Sequence, residues 1–152
     1  MDKVIIITGA SRGIGAATAL LAARQGYRIC INYLADDEAA YRVLAQVREL
    51  GATAIAVRAD VSVEDEVVAL FQRVDHELGR VTALVNNAGT IGQKSRVEEM
   101  SEFRLLKLMK TNVVGPMLCA KHALARMSTR HGGSGGAIVN VSSVAARLGS
   151  PN

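Results

Sequence analysis

The stretch VIIITGASRGIG, residues 4–15, decides the fold that we expect for this chain. It leads from a β-branched apolar run through three glycines straight into the helix-forming residues 16–24. A turn this tight between a strand and a helix favours glycine, and positions without a Cβ let a pyrophosphate approach the backbone. The N–H groups and the positive end of the helix attract phosphate charge. The spacing is GxxxGxG and not the commoner GxGxxG, so a turn that serves only packing stays an alternative at this point.

Four more short runs share the apolar, β-branched character of residues 4–8, and we expect all five to be strands buried on both faces. They cover residues 28–33, 54–58, 83–86 and 137–141. The first four runs begin 24 to 29 residues apart, which leaves room for one crossover helix each time. Repeated βαβ units of this length predict an α/β fold with a doubly wound, Rossmann-like parallel sheet. We expect helices on both faces, truncation after the fifth strand, and a single domain over residues 1–152.

Apolar residues three and four positions apart predict the helices between these strands. Ser62 and Asp65 have the spacing of a capping box at the start of one of them. Residues 101–127 predict one long helix or two in series, with a bend at Gly115-Pro116. The glycine-rich residues 131–136 predict a flexible surface loop and not a phosphate site, since no helix follows them.

Composition restricts the function classes. The 152 residues carry a net charge of +4, and 49% hydrophobic with 21% charged residues exclude disorder and a charge-rich coiled coil. Lysines and arginines are scattered, so we expect no nucleic-acid binding. No run reaches the ~18 apolar residues that a membrane span needs. Two cysteines, Cys30 and Cys119, cannot build a disulfide framework, and we expect a cytoplasmic location. The histidines are isolated along the chain, so we expect no metal site.

Five motifs follow one another along the chain: TGASRGIG at residues 8–15, Asp60-Val61, NNAG at residues 86–89, Asn112, and NVSS at residues 140–143. Together they resemble the ordered signature in the N-terminal portion of the short-chain dehydrogenase/reductase family. Within that family the sequence is similar to acyl-carrier-protein ketoreductases and to sugar dehydrogenases. The resemblance implies an oxidoreductase that transfers a hydride between a nicotinamide cofactor and a small-molecule carbonyl or secondary alcohol.

The resemblance also implies a set of cofactor-binding residues, and for the glycine turn the physical argument agrees with it. The set is Gly9, Ser11, Arg12, Gly13, Ile14, Gly15, Asn32, Asp60, Val61, Asn87, Ala88 and Gly89. Asp60 follows the third strand and can accept a hydrogen bond from the adenine amino group, although a role as a helix-entry residue before Ser62 stays open. Asn86 is the first residue of the NNAG motif, and the alternative to a role in the site is a turn side chain that satisfies the local backbone.

The charge expected near the adenosine ribose favours NADP over NAD. An NAD-binding domain usually places Asp or Glu at the end of its second strand, where the carboxylate holds the ribose 2′-hydroxyl. Here the second run ends in the neutral pair Asn32-Tyr33, and Asp36-Asp37 fall at the start of the next helix. Arg12 can instead reach a 2′-phosphate through a charge-assisted hydrogen bond. We therefore expect NADP(H) as the cofactor.

Hydride transfer places negative charge on a carbonyl oxygen, so the reaction needs a hydrogen-bond donor and a proton source there. The resemblance assigns the donor to Ser143 and the organisation of a water relay to Asn112. Neighbouring residues of a strand point to opposite faces, so we do not expect Ser142 to share the role of Ser143. For Asn112, a cap of the helix bend before Gly115-Pro116 is the alternative.

The family's Tyr-x-x-x-Lys pair is absent from this sequence, and none of Tyr27, Tyr33 and Tyr41 fits it. The chain therefore looks like the cofactor-binding front portion of a longer enzyme. We expect it to be inactive and poorly stable alone, and the complete protein to be a homodimer or homotetramer. The alternative is a non-catalytic nucleotide-binding module that lacks the Tyr and Lys. Another Rossmann enzyme, such as a methyltransferase, is disfavoured by residues 86–89 and by Ser142-Ser143.

Overall fold

All five predicted runs form strands in the computed structural model, which describes residues 3–149 of the chain. The strands are β1 Val4–Ile7, β2 Arg28–Tyr33, β3 Ala54–Arg58, β4 Ala83–Asn86 and β5 Ala137–Asn140. Every pairing is parallel, and the order across the sheet is β3-β2-β1-β4-β5. The first and last strands each end one residue earlier than the apolar runs predict.

The helices cover both faces of this sheet. They are α1 Gly13–Arg24, α2 Asp37–Glu49, α3 Glu64–Glu77, α4 Glu102–Met109, α5 Gly115–Met127 and α6 Ala145–Leu148. On one face Ile6 packs in a buried cluster with Phe71 of α3 and Cys119 of α5. On the other face Ile7 packs in a second cluster that contains Val43 of α2 and buried alanines of α1. The predicted doubly wound, Rossmann-like architecture is confirmed.

The start of α3 differs from the prediction, because the capping box of Ser62 and Asp65 does not form. The residue before α3 is Val63, and it gives no side-chain cap. Asp60 competes for Ser62 instead: its Oδ1 accepts hydrogen bonds from the Ser62 N–H at 2.9 Å and from the Ser62 hydroxyl at 2.7 Å. Three acidic residues in the first turn of α3 then favour its positive end without a cap.

A π-helical turn at Lys110–Val114 joins α4 to α5 directly before Gly115-Pro116, where the sequence predicts a bend. Pro116 has no N–H and lies in the first turn of α5, so the residues before it cannot complete an ordinary α-helical ladder. Gly115 is buried against Val61, because a Cβ there would lie 3.0 Å from Val61 Cγ2. The long segment is therefore one continuous helical run over residues 102–127, in which a π-helical turn separates two α-helical parts.

The loop at residues 131–136 lies at the surface, as predicted, and is anchored to the end of α5. The guanidinium of Arg80 donates hydrogen bonds to the backbone carbonyls of Arg126 at 2.7 Å, His131 at 2.9 Å and Gly132 at 2.7 Å. These bonds bring the chain back to the sheet, where β5 begins. Sequence periodicity carries no information about such long-range contacts.

β5 lies at one edge of the sheet and is largely exposed, with Val139 53% exposed. The prediction of a strand buried on both faces is therefore wrong for β5, because no further strand or helix of the described residues covers it. Cys30 and Cys119 are buried free thiols, and burial raises the pKa of Cys119 to about 12. Within residues 3–149, none of the helices combines the length and apolar character that crossing a membrane requires. The same residues contain no cluster of His, Cys, Asp and Glu that could hold a metal ion.

Candidate functional site

The carboxyl ends of β1 and β4 lie side by side where the strand order changes direction. β1 pairs with β2 on one side and with β4 on the other, so the connections leave the sheet in opposite directions there. In open parallel sheets this arrangement opens a crevice that binds ligands. Residues 8–15 follow β1 and residues 87–90 follow β4, and hydrogen bonds join the two segments.

Thr8 is the centre of these hydrogen bonds. Its hydroxyl oxygen accepts from the N–H groups of Asn87 and Ala88, each at 3.0 Å, and donates to the Val85 carbonyl at 3.3 Å. The Thr8 residue is 2% exposed. Thr8 has no role in the sequence prediction, although a threonine directly after an all-apolar strand is a signal that points to it. Thr8 therefore fixes the distance between the glycine turn and the segment after β4.

The side chain of Asn87 closes the glycine turn from the other side. Its amide nitrogen donates to the carbonyls of Thr8 at 2.9 Å and of Gly9 at 3.0 Å. A Cβ on Gly15 would lie 2.6 Å from that amide nitrogen, and a Cβ on Gly9 would lie 2.9 Å from the Ala88 Cα. Both glycines are therefore required by the close approach of residues 87 and 88, and the predicted residues Gly9, Gly15, Asn87 and Ala88 do come together.

The first turn of α1 presents N–H groups that suit an anion. Arg12 precedes the helix in an extended conformation and gives no side-chain cap, and the first turn contains no acidic residue. Gly13 has a φ of +57°, which allows the sharp entry into the helix. Arg12 and Ile14 are exposed and Ser11 is half-buried beside them. This cradle fits the diphosphate of a nicotinamide dinucleotide, because the helix-start amides have no competing cap or carboxylate.

Two predicted cofactor residues, Asn32 and Val61, have buried side chains and so support the site from within. Asn32 is 1% exposed. Its oxygen accepts from the Gly9 N–H at 3.4 Å, and its amide donates to the carbonyls of Val57 at 3.3 Å and Ala59 at 3.0 Å. Val61 is 6% exposed and lies in the core. Their side chains therefore stabilise the turn and the core, and a contact of either residue with the cofactor stays a prediction.

Asp60 lies just beyond the carboxyl end of β3 and is half-buried. Its bonds to Ser62 and the donation of its own N–H to Glu66 Oε2 at 2.7 Å show that it organises the entry to α3. The helix-entry interpretation is therefore correct for one of its oxygens. An adenine contact through the same carboxylate remains a prediction.

A cavity of about 800 Å³ extends from residues 87–91 towards the end of β5. Asn112, Ser142 and Ser143 all border it. Ladder pairing ends at Asn140, so the alternation of strand faces that we used to separate the two serines does not apply. Ser143 Oγ accepts a hydrogen bond from the Ala145 N–H at 3.2 Å, next to the start of α6.

Asn112 lies in the π-helical turn and binds the segment that follows β4. Its Oδ1 accepts from the Thr90 N–H at 2.8 Å, and its Nδ2 donates to the Thr90 carbonyl at 2.7 Å. Gly89 lies directly against it, since a Cβ there would be 3.4 Å from Asn112 Oδ1. These contacts differ from the helix-bend cap that was the alternative. The side chain ties α4 and α5 to the cavity wall, and Thr90 is a partner that the sequence did not indicate.

Asn86 also makes long-range contacts and not the local turn contacts considered as its alternative. Its amide donates to Asn140 Oδ1 at 2.9 Å and to the Pro116 carbonyl at 3.2 Å. The residue is 4% exposed, and its Oδ1 is buried without a hydrogen-bond partner among the described residues. The Asn86 side chain therefore joins β4, β5 and α5 beneath the cavity.

The three tyrosines lie away from this cavity. Tyr33 is 5% exposed at the end of β2, and burial, with a hydrogen bond to Asp37, raises its pKa to about 12. Tyr27 packs against the cluster beneath α1, and Tyr41 is exposed on α2. Within residues 3–149 no tyrosine borders the cavity that contains Ser143.

Comparison with known proteins gives one consistent result. The family model for short chain dehydrogenase matches residues 3–152. The chain is 47% identical over 148 residues to the uncharacterized oxidoreductase YgfF of Escherichia coli, and it is 36% identical over 151 residues to the 3-oxoacyl-[acyl-carrier-protein] reductase FabG of Staphylococcus aureus. It covers 60% of the length of each of these relatives, while 97% and 99% of its own length is matched.

Two further comparisons add a substrate name and a structure. The chain is 40% identical over 151 residues to the cis-4-hydroxycyclohexanecarboxylate dehydrogenase of Sinomonas cyclohexanicum and covers 59% of it. The crystal structure of the NADH-dependent reductase A1-R′, responsible for alginate metabolism, superimposes with a TM-score of 0.89 at 29% identity. That superposition covers 99% of this chain and 62% of the reductase.

Proposed function

The chain belongs to the short-chain dehydrogenase family, and from that premise we propose that it is the nucleotide-binding portion of an NADP-dependent oxidoreductase. The substrate would be a small-molecule carbonyl compound or secondary alcohol. The observation that carries the proposal is the glycine turn, closed by Thr8 and Asn87 against a helix start that has neither a cap nor an acidic residue. A nicotinamide cofactor bound there supplies or accepts the hydride.

The residues that would hold the dinucleotide lie along the carboxyl edge of the sheet. Backbone N–H groups at Ser11 and Ile14 would bind the diphosphate, because the start of α1 concentrates positive partial charge there. Ala88 and Gly89 would line the adenosine side next to the turn. Asp60 would accept from the adenine amino group through the oxygen that Ser62 does not use.

The charges around the end of β2 support NADP over NAD. Asn32 and Tyr33 are neutral and buried. Asp36 caps α2 by accepting from the Ala39 N–H at 2.9 Å, and this contact holds its carboxylate at the helix. Arg12 is exposed at the start of α1, where it can meet a 2′-phosphate. One structural relative is described as NADH-dependent, so cofactor choice requires a direct test.

The test is a fluorescence titration of NADPH and NADH into the protein expressed from its complete gene. We expect NADPH to bind more tightly, and Arg12→Ala to weaken NADPH binding by about 10- to 100-fold, the value of a charge-assisted hydrogen bond. NADH affinity should change little. Arg24→Ala removes an exposed cation at the other end of the same helix and is the matched control. Tighter binding of NADH, or an unchanged NADPH affinity in Arg12→Ala, would contradict the cofactor assignment.

The cavity side chains would act on the substrate oxygen and on water. The Ser143 hydroxyl, which borders the cavity, would donate to the carbonyl oxygen as negative charge develops on it. Asn112 would hold the water relay through its backbone: Pro116 has no N–H, so the Asn112 carbonyl cannot receive the ordinary i+4 hydrogen bond. Its side chain stays engaged with Thr90 and fixes this position.

The names of two relatives support a carbonyl or hydroxyl substrate. One is a dehydrogenase of a hydroxycyclohexanecarboxylate and the other is a reductase of a 3-oxoacyl group. Both names describe interconversion of an alcohol and a ketone on a carbon framework that bears a further functional group. We propose the same reaction class for this protein.

We also propose that the complete protein is a homodimer or homotetramer. Four apolar residues recur at helical spacing from α4 through the π-helical turn into α5, and each is at least 41% exposed: Leu106, Met109, Val113 and Met117. A stripe of this kind is typical of a surface that another helix covers. Met109→Glu should shift the mass measured by light scattering to a smaller species; an unchanged mass would exclude this surface. The cytoplasmic location is likewise a proposal, supported by two buried free thiols.

A further inference from the structure

A second, smaller cavity adjoins the site and is not used by the cofactor or by the reacting carbonyl in the function proposed above. It has a volume of about 310 Å³ and lies between the segment after β4 and helix α4. Its walls include Thr90 from the segment and Phe103, Arg104, Lys107 and Leu108 from α4. Thr90 also borders the larger cavity, so the two spaces meet at one residue.

The polar wall of this small cavity is cationic and has no internal counter-charge. Arg104 and Lys107 are three positions apart and therefore neighbours on one side of α4. Within residues 3–149 neither side chain forms an ion pair with a carboxylate. The nearby acid Glu98 pairs with Arg96 at 3.6 Å, and Glu99 accepts from the Arg96 N–H at 3.3 Å.

Arg104 is held in place by the segment that it faces. Its guanidinium donates to Ser95 Oγ at 2.7 Å and to the carbonyl of Gln93. Its Nε is buried without a hydrogen-bond partner among the described residues. Gly92 lies beside that Nε, since a Cβ there would be in ordinary van der Waals contact at 3.7 Å. The guanidinium is therefore a fixed cation on the cavity wall, and a fixed cation suits an anion better than a neutral group.

Phe103 and Leu108 form the apolar part of the wall, and Thr90 and Gln93 add neutral polar groups. A ligand for this space therefore needs a small apolar body and one negative charge, and a volume of about 310 Å³ accepts a group of that size. We propose that this cavity is a substrate subsite for a carboxylate carried on an apolar framework, read by Lys107 and Arg104. The inference rests on the proposed function and adds to it a substrate class: ketones or secondary alcohols that bear a remote carboxylate.

The proposed oligomer contact and this subsite lie on opposite sides of α4, so an oligomer would leave the subsite open. The apolar stripe at Leu106 and Met109 and the cations at Arg104 and Lys107 occupy different sides of the helix, because residues three and four apart share a side. A partner helix on the stripe would thus leave the cavity between α4 and the segment after β4 open.

The binding test uses benzoate and its neutral analogue benzamide, titrated by calorimetry into the cofactor-free protein expressed from its complete gene. We expect benzoate to bind about tenfold more tightly, since a hydrogen bond to a charged group exceeds a neutral one by roughly this factor. Lys107→Gln and Arg104→Gln should each lower the affinity for benzoate and leave that for benzamide unchanged. Lys94→Gln removes an exposed cation from the same segment outside the cavity and should have no effect.

Equal affinities for the two probes, no binding of benzoate, or full benzoate affinity in Lys107→Gln and Arg104→Gln would each overturn the subsite. Kinetics provide the second measurement. The ratio of kcat/KM for 4-acetylbenzoate to that for its methyl ester should fall about five- to tenfold in Lys107→Gln, with the ester rate retained. Reduction of ketones without benzoate binding would refute the subsite alone. Benzoate binding without any cofactor binding would instead refute the proposed function.

Discussion

Replacement of Thr8 by valine tests whether the glycine turn and the segment after β4 form one unit. Valine keeps nearly the same shape but removes the hydroxyl that accepts from the N–H groups of Asn87 and Ala88, each at 3.0 Å. The Val85 carbonyl stays satisfied, because it also accepts from the Thr8 backbone N–H at 3.0 Å. The substitution therefore leaves two amides without an acceptor beside a residue that is 2% exposed.

A buried donor without a partner costs about 1–3 kcal/mol, so two partly buried amides predict a loss of about 2–4 kcal/mol in the free energy of unfolding. The free energy of unfolding of a whole domain is only about 5–15 kcal/mol, so this loss is large. The same change releases Asn87 and Ala88 from the turn, and we expect cofactor affinity to fall by at least about tenfold, the equivalent of 1.4 kcal/mol.

The assay is urea denaturation of the protein expressed from its complete gene, combined with a cofactor titration. Thr8→Ser is the matched control, because it retains the hydroxyl and loses one methyl group, worth about 1 kcal/mol. The reasoning is refuted if Thr8→Val is no more destabilising than Thr8→Ser. It is equally refuted if Thr8→Val binds the cofactor as tightly as the unmodified protein.

Three further changes test other parts of the site. Gly15→Ala places a Cβ 2.6 Å from Asn87 Nδ2 and should cost about 1–3 kcal/mol and weaken cofactor binding; unchanged melting and affinity would contradict this. Ser143→Ala should lower kcat about 100- to 1000-fold with an unchanged cofactor Kd, and equal turnover would remove Ser143 from the mechanism. Burial, with the charges of Lys121 and Arg126, lowers the pKa of His122 in the folded protein. The unfolded chain therefore binds a proton at His122 more readily than the folded protein does. We expect the free energy of unfolding to fall as the pH drops from 7 to 5. His122→Phe should make that pH dependence shallower in denaturation curves, and an identical slope would contradict the assignment.

The fold could be predicted from the sequence because each strand is a short apolar run, and four of the five have both faces covered. The continuous apolar character of these runs also means that the sequence does not show which way a polar residue within a strand points. In a continuous apolar run there is no alternation to show which way Asn32 points, and its contacts at Gly9, Val57 and Ala59 become evident only when three strands are assembled.

Local competition explains one difference and long-range contacts explain another. Ser62 satisfies the capping-box spacing, yet its N–H and hydroxyl bind Asp60 instead. The bond between Asn112 and Thr90 joins residues 22 positions apart, which no local pattern encodes. The glycine positions, in contrast, were predictable because a tight strand-to-helix turn favours glycine, although the approach of residues 87 and 88 that excludes a Cβ is a long-range contact. The roles of Ser143 and Asn112 in the reaction, and a single domain over residues 1–152, stay predictions.

The central claim concerns where a dinucleotide diphosphate binds, and a crystal structure of the complete protein with NADPH tests it most directly. The account predicts the diphosphate within hydrogen-bond distance of the backbone N–H groups between Ser11 and Gly15, with the 2′-phosphate beside Arg12. A diphosphate bound away from the first turn of α1, with the glycine turn in contact with solvent, would contradict it.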